Sequence, residues 1–257
     1  MSATTQFTGF QTIVLREYGR IVRIWGQTIV PPAITATLYF VIFGSLIGRR
    51  VGDMGGFSYM QFIAPGLIMM NVITNSYGNV VSSFFGAKFG KHIEELLVSP
   101  LPNWLIVCGY MCGGIVRGLL VGAVVTAISL FFTSMHVAHW GVVVSAVLLT
   151  SIIFSLAGMI NAVFAKNFDQ VTMIPTFVLT PLTYLGGVFY SVTMLPGWAQ
   201  TISHSNPILY MVSAFRYGFL GTSDVNLGVA YAIMIGASVG LFVLCLWLMN
   251  KGVGMRE

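Results

Sequence analysis

The charged side chains that could engage a partner gather in one short stretch, Gly86 to Leu101, which lies between two long apolar runs. Read as a helix that ends at Pro100, this stretch is amphipathic. It could bind another protein or lie on a membrane surface, and it could equally be a solvated loop whose basic residues only fix the orientation of the chain in a membrane. Its polar members are Lys88, Lys91, Glu94 and Glu95, and its apolar members are Ile93, Leu96 and Leu97.

Motifs for catalysis or cofactor binding are missing from the sequence. Residues 86–92 read GAKFGKH, which lacks the spacing and the Ser or Thr of a P-loop, so if ATP drives this protein another chain binds it. His136 and His139 form an H-x-x-H pair, which without further ligands is more typical of a membrane interface than of a metal site. The 3 cysteines lie inside apolar runs. We therefore expect no catalytic residue, no metal and no cofactor held by this chain.

The elements that carry these residues are predicted to be membrane helices. The 257 residues are 56% hydrophobic and 7% charged, whereas a soluble domain has about a quarter of its residues charged. Alternating strands of a membrane barrel are absent, so an all-α integral membrane protein with a single domain, residues 1–257, is expected. The basic residues lie mostly beside apolar runs, where membrane orientation explains them, so nucleic acid is not an expected partner.

Six apolar runs are long enough to cross about 30 Å of hydrocarbon at about 1.5 Å per residue. Basic residues are more numerous on the side that carries both termini and the segment 86–101. The positive-inside rule therefore places both termini and that segment in the cytoplasm. The predicted spans are residues 27–47, 59–85, 103–133, 141–165, 171–190 and 227–250.

Two further segments are predicted to lie at the membrane surfaces. Residues 7–25 form an amphipathic interfacial helix, with Arg16, Arg20 and Arg23 directed toward anionic lipid on the face opposite its apolar residues. Residues 191–224 are too long for a simple loop and too broken by prolines for a span. They are expected to form external re-entrant helices that dip into the outer leaflet.

Polar side chains recur on two of the predicted spans. Asn71, Asn75 and Asn79 follow one another at a spacing of four on the second span, and the fifth span carries a comparable stripe. These faces are expected to point inward, where they would line a translocation path or a subunit seam; ordinary hydrogen bonding between helices is the alternative. The stripe on the fifth span consists of Thr176, Thr180 and Thr183.

Arg117 falls near the middle of the third predicted span. A cation at this depth is costly, so it either belongs to a functional site or fixes helix packing. All 7 acidic residues lie outside the predicted spans or at their ends, so no carboxylate within a span is available as its partner. The same absence disfavours a proton- or sodium-coupled carrier, which commonly places a carboxylate in the membrane.

Two stretches together resemble the membrane-spanning subunit of ABC-2 type transporters. The first is IEELLVSPLP (residues 93–102), which is similar to the cytoplasmic coupling segment of that family. The second runs from Pro181 to Arg216 and contains PLTYLGGVFY, LPGW and NPILYMVSAFR, in the order of the family signature at the fifth span and the external region. The six spans and cytoplasmic termini agree with the resemblance along the whole chain.

This resemblance implies a homodimeric permease on two copies of a cytoplasmic ATPase, which carries the ATP and Mg²⁺. It implies export of an amphipathic, lipid, drug or glycan substrate across the bacterial inner membrane, with membrane lipid around the dimer. An ion-coupled carrier and a noncatalytic membrane scaffold remain the alternatives. The residues expected to couple the permease to the ATPase are Lys91, Glu94, Glu95, Leu96, Ser99 and Pro100, and those expected at an external gate are Gly186, Gly187, Phe189, Asn206, Pro207, Tyr210 and Arg216.

Overall fold

The structure is a computed structural model that describes residues 3–48 and 52–254, and helices make up most of it. A two-residue antiparallel hairpin, β1 (Asp53–Met54) and β2 (Phe57–Ser58), precedes the third helix. The α-helices in chain order are α1 (Ala3–Arg23), α2 (Trp25–Tyr39), α3 (Tyr59–Phe89), α4 (His92–Val98), α5 (Asn103–Ser129), α6 (Trp140–Phe164), α7 (Phe168–Ile174), α8 (Thr180–Leu185), α9 (Gly197–His204), α10 (Pro207–Leu220) and α11 (Leu227–Lys251). Shorter helical segments are the π-helices Phe40–Ile47 and Pro175–Leu179 and the 3₁₀ turn Val192–Met194.

Four helices of the described chain are long and apolar enough to cross a membrane: Trp25–Gly44, Asn103–Ser129, Trp140–Phe164 and Leu227–Lys251. This agrees with the prediction of an all-α membrane protein. The predicted second span lies within α3, whose 31 residues are long enough, but whose asparagines and serines reduce its hydropathy. The predicted fifth span consists of three consecutive pieces, α7, the π-helix Pro175–Leu179 and α8.

The longest helix, α3, lies at the centre of the molecule and packs against α5, α6 and α10. It begins with a capping box, in which the Ser58 hydroxyl accepts from the Gln61 amide and the Gln61 side chain accepts from the Ser58 amide. Glycines allow its neighbours to come close. A Cβ on Gly118 would lie 2.0 Å from Oγ of Ser76, and a Cβ on Gly158 would lie 2.6 Å from the Tyr77 carbonyl oxygen. The helix positions therefore depend on small residues, as in other membrane bundles.

Contacts between distant segments define two ends of the bundle. At one end Lys88 bonds to the carbonyl oxygens of Val163 and Ala165, and a Cβ on Gly254 would touch the Val163 carbonyl oxygen. At the other end, the amides of Ala138 and His139 donate to the carbonyl oxygens of Phe219 and Gly218. The first end thus carries the segment 86–101 and the last described residues, and the second carries the segment 191–224.

The first helix packs along the start of α5. A Cβ on Gly109 would meet Ile13, and a Cβ on Gly113 would meet Glu17, so the two helices run in the same direction at close range. The face that packs consists of Ile13, Glu17 and Ile21, all buried. This corrects the predicted orientation of Arg20, which turns inward toward α3 instead of toward lipid. The exposed apolar residues Phe7, Leu15, Tyr18, Val22 and Trp25 remain available to lipid.

We expect Gly158→Val to destabilise the bundle, because a larger side chain at this position must displace the backbone of α3. Overpacking of this kind costs about 1–3 kcal/mol, which corresponds to a decrease of about 2–10 °C in the unfolding midpoint. The measurement is thermal unfolding of the purified protein in detergent. Gly236→Val is the matched control, since a Cβ on Gly236 meets nothing within 4 Å; equal midpoints for the two variants would contradict the packing role.

Candidate functional site

The segment predicted as one helix over 86–101 is divided in the structure. Helix α3 continues to Phe89, and the chain then turns at Gly90 and Lys91 before α4 begins. Lys91 has φ 59°, in the left-handed region that non-glycine residues seldom adopt. This conformation turns the chain sharply, so α4 does not continue the axis of α3.

The residues of the segment 86–101 that follow the turn at Lys91 differ in exposure. Ile93 is buried at 1% exposure and anchors α4 to the bundle, whereas Val98 is 86% exposed. Leu96 and Ser99 are half-buried, and the Ser99 hydroxyl donates to the Leu96 carbonyl oxygen at 2.6 Å. The residues whose side chains face outward are Lys91, Glu94, Glu95 and Pro100.

A cleft opens between this segment and the first helix. Arg16 of α1 lines it together with His92, Glu95 and Leu96. Nearby, Leu101 fills the space beside Gly9 of α1. The outward surface at this end is therefore built by two elements, and its charged side chains have both signs.

The coupling segment is connected to the fifth predicted span. The Lys88 ammonium donates to the carbonyl oxygens of Val163 at 2.6 Å and Ala165 at 2.8 Å, which are left free where α6 ends. The Phe168 ring, at the start of α7, lies 5.0 Å from the Phe85 ring and 5.1 Å from the Phe89 ring. The last turns of α3, which precede α4, thus contact both the end of α6 and the start of α7.

The asparagine stripe of α3 does not form one free face. Asn79 is fully buried and Asn71 is buried, whereas Asn75 is half-buried. The Asn71 amide donates to the Leu67 carbonyl oxygen and the Asn75 amide donates to that of Asn71. The face of α3 that stays open consists instead of small residues at a spacing of four, namely Thr74, Gly78, Ser82 and Gly86. This spacing of small residues is present in the sequence, but the asparagines beside it are more polar and were predicted to form the functional face.

The threonine stripe of the fifth span is split in the same way. Thr176 and Thr180 are exposed, but Thr183 is 2% exposed and donates to the Leu179 carbonyl oxygen. The exposed side of this segment also carries Phe177, at 72% exposure. Only two of the three threonines are therefore placed to meet another molecule.

Side chains donate hydrogen bonds to backbone carbonyl groups at the bend in the predicted fifth span. A proline at position 175 has no N–H for the carbonyl group of Val171, four residues earlier. The side-chain amide of Asn161 on α6 donates to that oxygen at 3.2 Å. The Thr180 hydroxyl donates to the Pro175 carbonyl oxygen at 2.9 Å. The segment thus leaves the regular α-helix without leaving these two carbonyl groups unpaired.

A buried charge cluster joins α1 to α3, and sequence analysis did not foresee it. Glu17 is 1% exposed and accepts from the Ser83 hydroxyl, from the Asn79 amide at 3.4 Å and from Arg20 at 3.1 Å. Arg20 also donates to Asn79 Oδ1 at 2.7 Å. Glu17 lies outside every predicted span in sequence, but the packing of α1 carries it beside Gly113 of α5. One pattern in the sequence could have indicated this packing. Gly109 and Gly113 on α5 are four residues apart, as are Ile13 and Glu17 on α1, which pack against them.

Arg216 holds the opposite end together. Its Nη2 donates to the Gly187 carbonyl oxygen at 2.6 Å, its Nε donates to that of Phe62 at 3.3 Å, and its Nη1 pairs with Asp224 at 3.4 Å. The guanidinium also stacks on the Phe62 ring at 3.9 Å. One buried side chain thus links α10, α3 and the chain after α8.

The other predicted gate residues lie around this arginine. Asn206 caps α10 by accepting from the Ile208 amide, and its own amide donates to the Leu182 carbonyl oxygen at 2.6 Å. Gly187 has φ +72° and Gly186 contacts Ile208, so both positions require glycine. Pro207 starts α10, and the Tyr210 hydroxyl donates to the His204 carbonyl oxygen.

Phe189 belongs to a neighbouring aromatic cluster at this end. Its ring lies 4.8 Å from that of Phe43 and 5.6 Å from those of Tyr39 and Tyr184. The hydroxyl groups of Tyr39 and Tyr184 share a hydrogen bond of 2.9 Å. The cluster joins the first predicted span to the end of the fifth.

Comparison with known proteins agrees with this architecture. Residues 8–220 match the family model described as "ABC-2 type transporter". The chain is 58% identical over 251 residues to the "Inner membrane transport permease YadH" of Escherichia coli strain K12, covering 98% of each chain. It is 27% identical over 193 residues to "Nodulation protein J" of Rhizobium leguminosarum bv. viciae, covering 74% of this chain and 73% of that relative. The chain is therefore a member of the ABC-2 type transporter family, a membrane transport permease without an ATPase site of its own.

Proposed function

We propose that this chain is the transmembrane subunit of an ATP-driven exporter in the bacterial inner membrane. Two copies would form the permease, and two copies of a cytoplasmic ATPase would bind ATP and Mg²⁺. The family supports an ABC ATPase as partner, and the name of the Escherichia coli relative supports the inner membrane. The cargo would be amphipathic, of the lipid, drug or glycan class.

The proposed topology has six spans and cytoplasmic termini. Helix α3 would be the second span and the segment from α7 to α8 the fifth, in addition to the four apolar helices. The placement of the first and last described segments at the same end of the bundle as α4 agrees with an even number of crossings. Helices α9 and α10 would be the re-entrant pair in the outer leaflet.

The observation that carries the proposal is the construction of α4. It is short, turned away from α3 at Lys91 and anchored by Ile93, and its two acidic residues are exposed. Such a projection suits insertion into a cleft of a soluble partner. ATP-dependent closure of the ATPases would move α4, and Lys88 and the phenylalanine rings would pass the movement to α6 and α7.

The ion-coupled alternative gains a buried carboxylate in Glu17. However, this carboxylate already accepts from Arg20, Asn79 and Ser83. A coupling ion would have to displace the salt bridge with Arg20, which is unfavourable for a cation. We therefore propose an ATP-driven exporter in preference to an ion-coupled carrier.

The coupling role predicts that Glu94→Lys abolishes stimulation of the ATPase without unfolding the permease. Reversing an exposed charge in a docking surface places like charges together, so we expect a decrease of about tenfold or more in stimulated ATP hydrolysis. The measurement uses the ATPase that copurifies with the tagged chain. Asp169→Lys is the matched control, because Asp169 is also exposed and acidic and lies at the same end of the bundle. Normal stimulation with Glu94→Lys would refute the coupling role.

The seam role predicts proximity between the fifth spans of two copies. In a variant without the native cysteines, Thr180→Cys should form a covalent dimer in membranes treated with a bifunctional thiol reagent. Val239→Cys on α11 is the control, since this residue is 59% exposed on a helix assigned here to lipid. Cross-linking at position 239 but not at position 180 would show that the two copies meet at α11 instead of at the fifth span.

The external site predicts a structural cost for Arg216→Leu. The substitution leaves the Gly187 carbonyl group without this donor, at about 1–3 kcal/mol for a buried group, and it removes the ion pair with Asp224. We expect a lower unfolding midpoint in detergent, with Arg23→Leu, an exposed arginine of α1, close to the unsubstituted protein. Equal stability of the two variants would show that Arg216 does not hold this end together.

A further inference from the structure

Arg117 is a cation for which the described structure provides no counter-ion. It lies on α5 one turn after Gly113, the residue against which Glu17 packs. No hydrogen bond or salt bridge joins it to any residue within 3–48 and 52–254, and its Nε atom is buried without a partner. It stands 14 residues after the start of α5 at Asn103, which is about 21 Å along the helix.

The charged groups near Arg117 increase the need for an anion. Helices α1 and α5 run in parallel with Glu17 against Gly113, so Arg20 lies about one turn further along α1 at about the level of Arg117 on α5. Glu17 is the nearby carboxylate, and Arg20, Asn79 and Ser83 already donate to it. Two guanidinium groups and one carboxylate leave a net charge of about +1 in a part of the molecule that is otherwise apolar, and such a charge is costly within a membrane.

The other carboxylates of the described chain lie elsewhere. Asp224 pairs with Arg216 at the opposite end, and Asp53 lies in the hairpin that precedes α3. Glu94, Glu95 and Asp169 are exposed around the coupling segment. Among the residues that the structure describes, no carboxylate is therefore left to neutralise Arg117.

The surroundings of Arg117 indicate what kind of anion would fit. Arg117 is half-buried, and the next exposed positions on α5 are Leu119 and Leu120, each 38% exposed. A guanidinium binds the oxygens of a phosphate through two parallel hydrogen bonds. Leu120, three residues further along the same side of α5, would contact an acyl chain. A phosphate joined to an apolar tail matches both features.

We infer that Arg117, with Arg20 beside it, binds the phosphate group of an anionic amphiphile in the membrane. The site does not depend on the coupling role of α4, so it stands or falls separately from the proposed ATP-driven mechanism. The same guanidinium chemistry would accept a free phosphate ion, and the experiment distinguishes the two sources.

The test is native mass spectrometry of the full chain, purified in detergent and titrated with dioleoylphosphatidylglycerol. Dioleoylglycerol, which has the same chains and no phosphate, is the ligand control. We expect Arg117→Gln to weaken phosphatidylglycerol binding by about tenfold, the loss of a charge-assisted hydrogen bond. We expect Arg117→Lys to retain part of the affinity, and Arg23→Gln, which removes an exposed arginine of α1, to change it by less than about twofold.

Addition of inorganic phosphate identifies the source of the anion. Retention of the lipid assigns the site to a headgroup, and displacement of the lipid assigns it to the free ion. Equal binding by the unsubstituted protein and Arg117→Gln, or equal loss in Arg117→Gln and Arg23→Gln, would overturn the inference. Size-exclusion profiles and the Arg117→Lys variant separate loss of the site from loss of the fold.

Discussion

The close approach of α5 and α6 to α3 is the constraint on which the rest of the structure depends. Gly118 and Gly158 allow backbones to meet where a single Cβ would collide with Ser76 or with the Tyr77 carbonyl oxygen. In lipid, helices gain little from the hydrophobic effect when they associate, so close van der Waals packing must hold them together. Because α3 is fixed in this way, the elements attached to its two ends are positioned by it: the predicted coupling segment at one end and the segment around Arg216 at the other.

Polar interactions within this bundle join elements that are far apart in sequence. Lys88 meets the end of α6, Arg20 meets α3, and Arg216 meets both α3 and the chain after α8. Each of these cations donates to a backbone carbonyl oxygen. Lys88 satisfies acceptors that the end of α6 leaves free, whereas Arg20 bonds to the Asn79 carbonyl oxygen within α3. The proposed coupling path and the proposed external gate therefore use the same kind of contact at opposite ends of α3.

Hydropathy and helix-breaking residues were sufficient to predict the membrane class, the helical architecture and four of the apolar helices. The motifs of residues 93–102 and 181–216 were sufficient for the family. The break at Lys91 was not predictable, because a lysine gives no local signal for positive φ. The contact between Asn79 and Glu17 and the burial of Glu17 were missed because periodicity identifies the faces of a helix without saying which helix covers them. Both depend on the docking of α1, which is a tertiary contact.

The bent fifth span has a mechanical consequence. Asn161 and Thr180 supply donors to the Val171 and Pro175 carbonyl groups, so the bend carries little of the usual penalty for broken backbone hydrogen bonds in lipid. The Thr180 backbone amide also donates to the Pro175 carbonyl group, whereas the donor to the Val171 carbonyl group is the Asn161 side chain. The start of the bend can therefore change its curvature when that one side chain rotates. It is thus compliant where the neighbouring helices are stiff, and strain that enters at Phe168 would be concentrated there before it reaches Tyr184 at the opposite end of the segment.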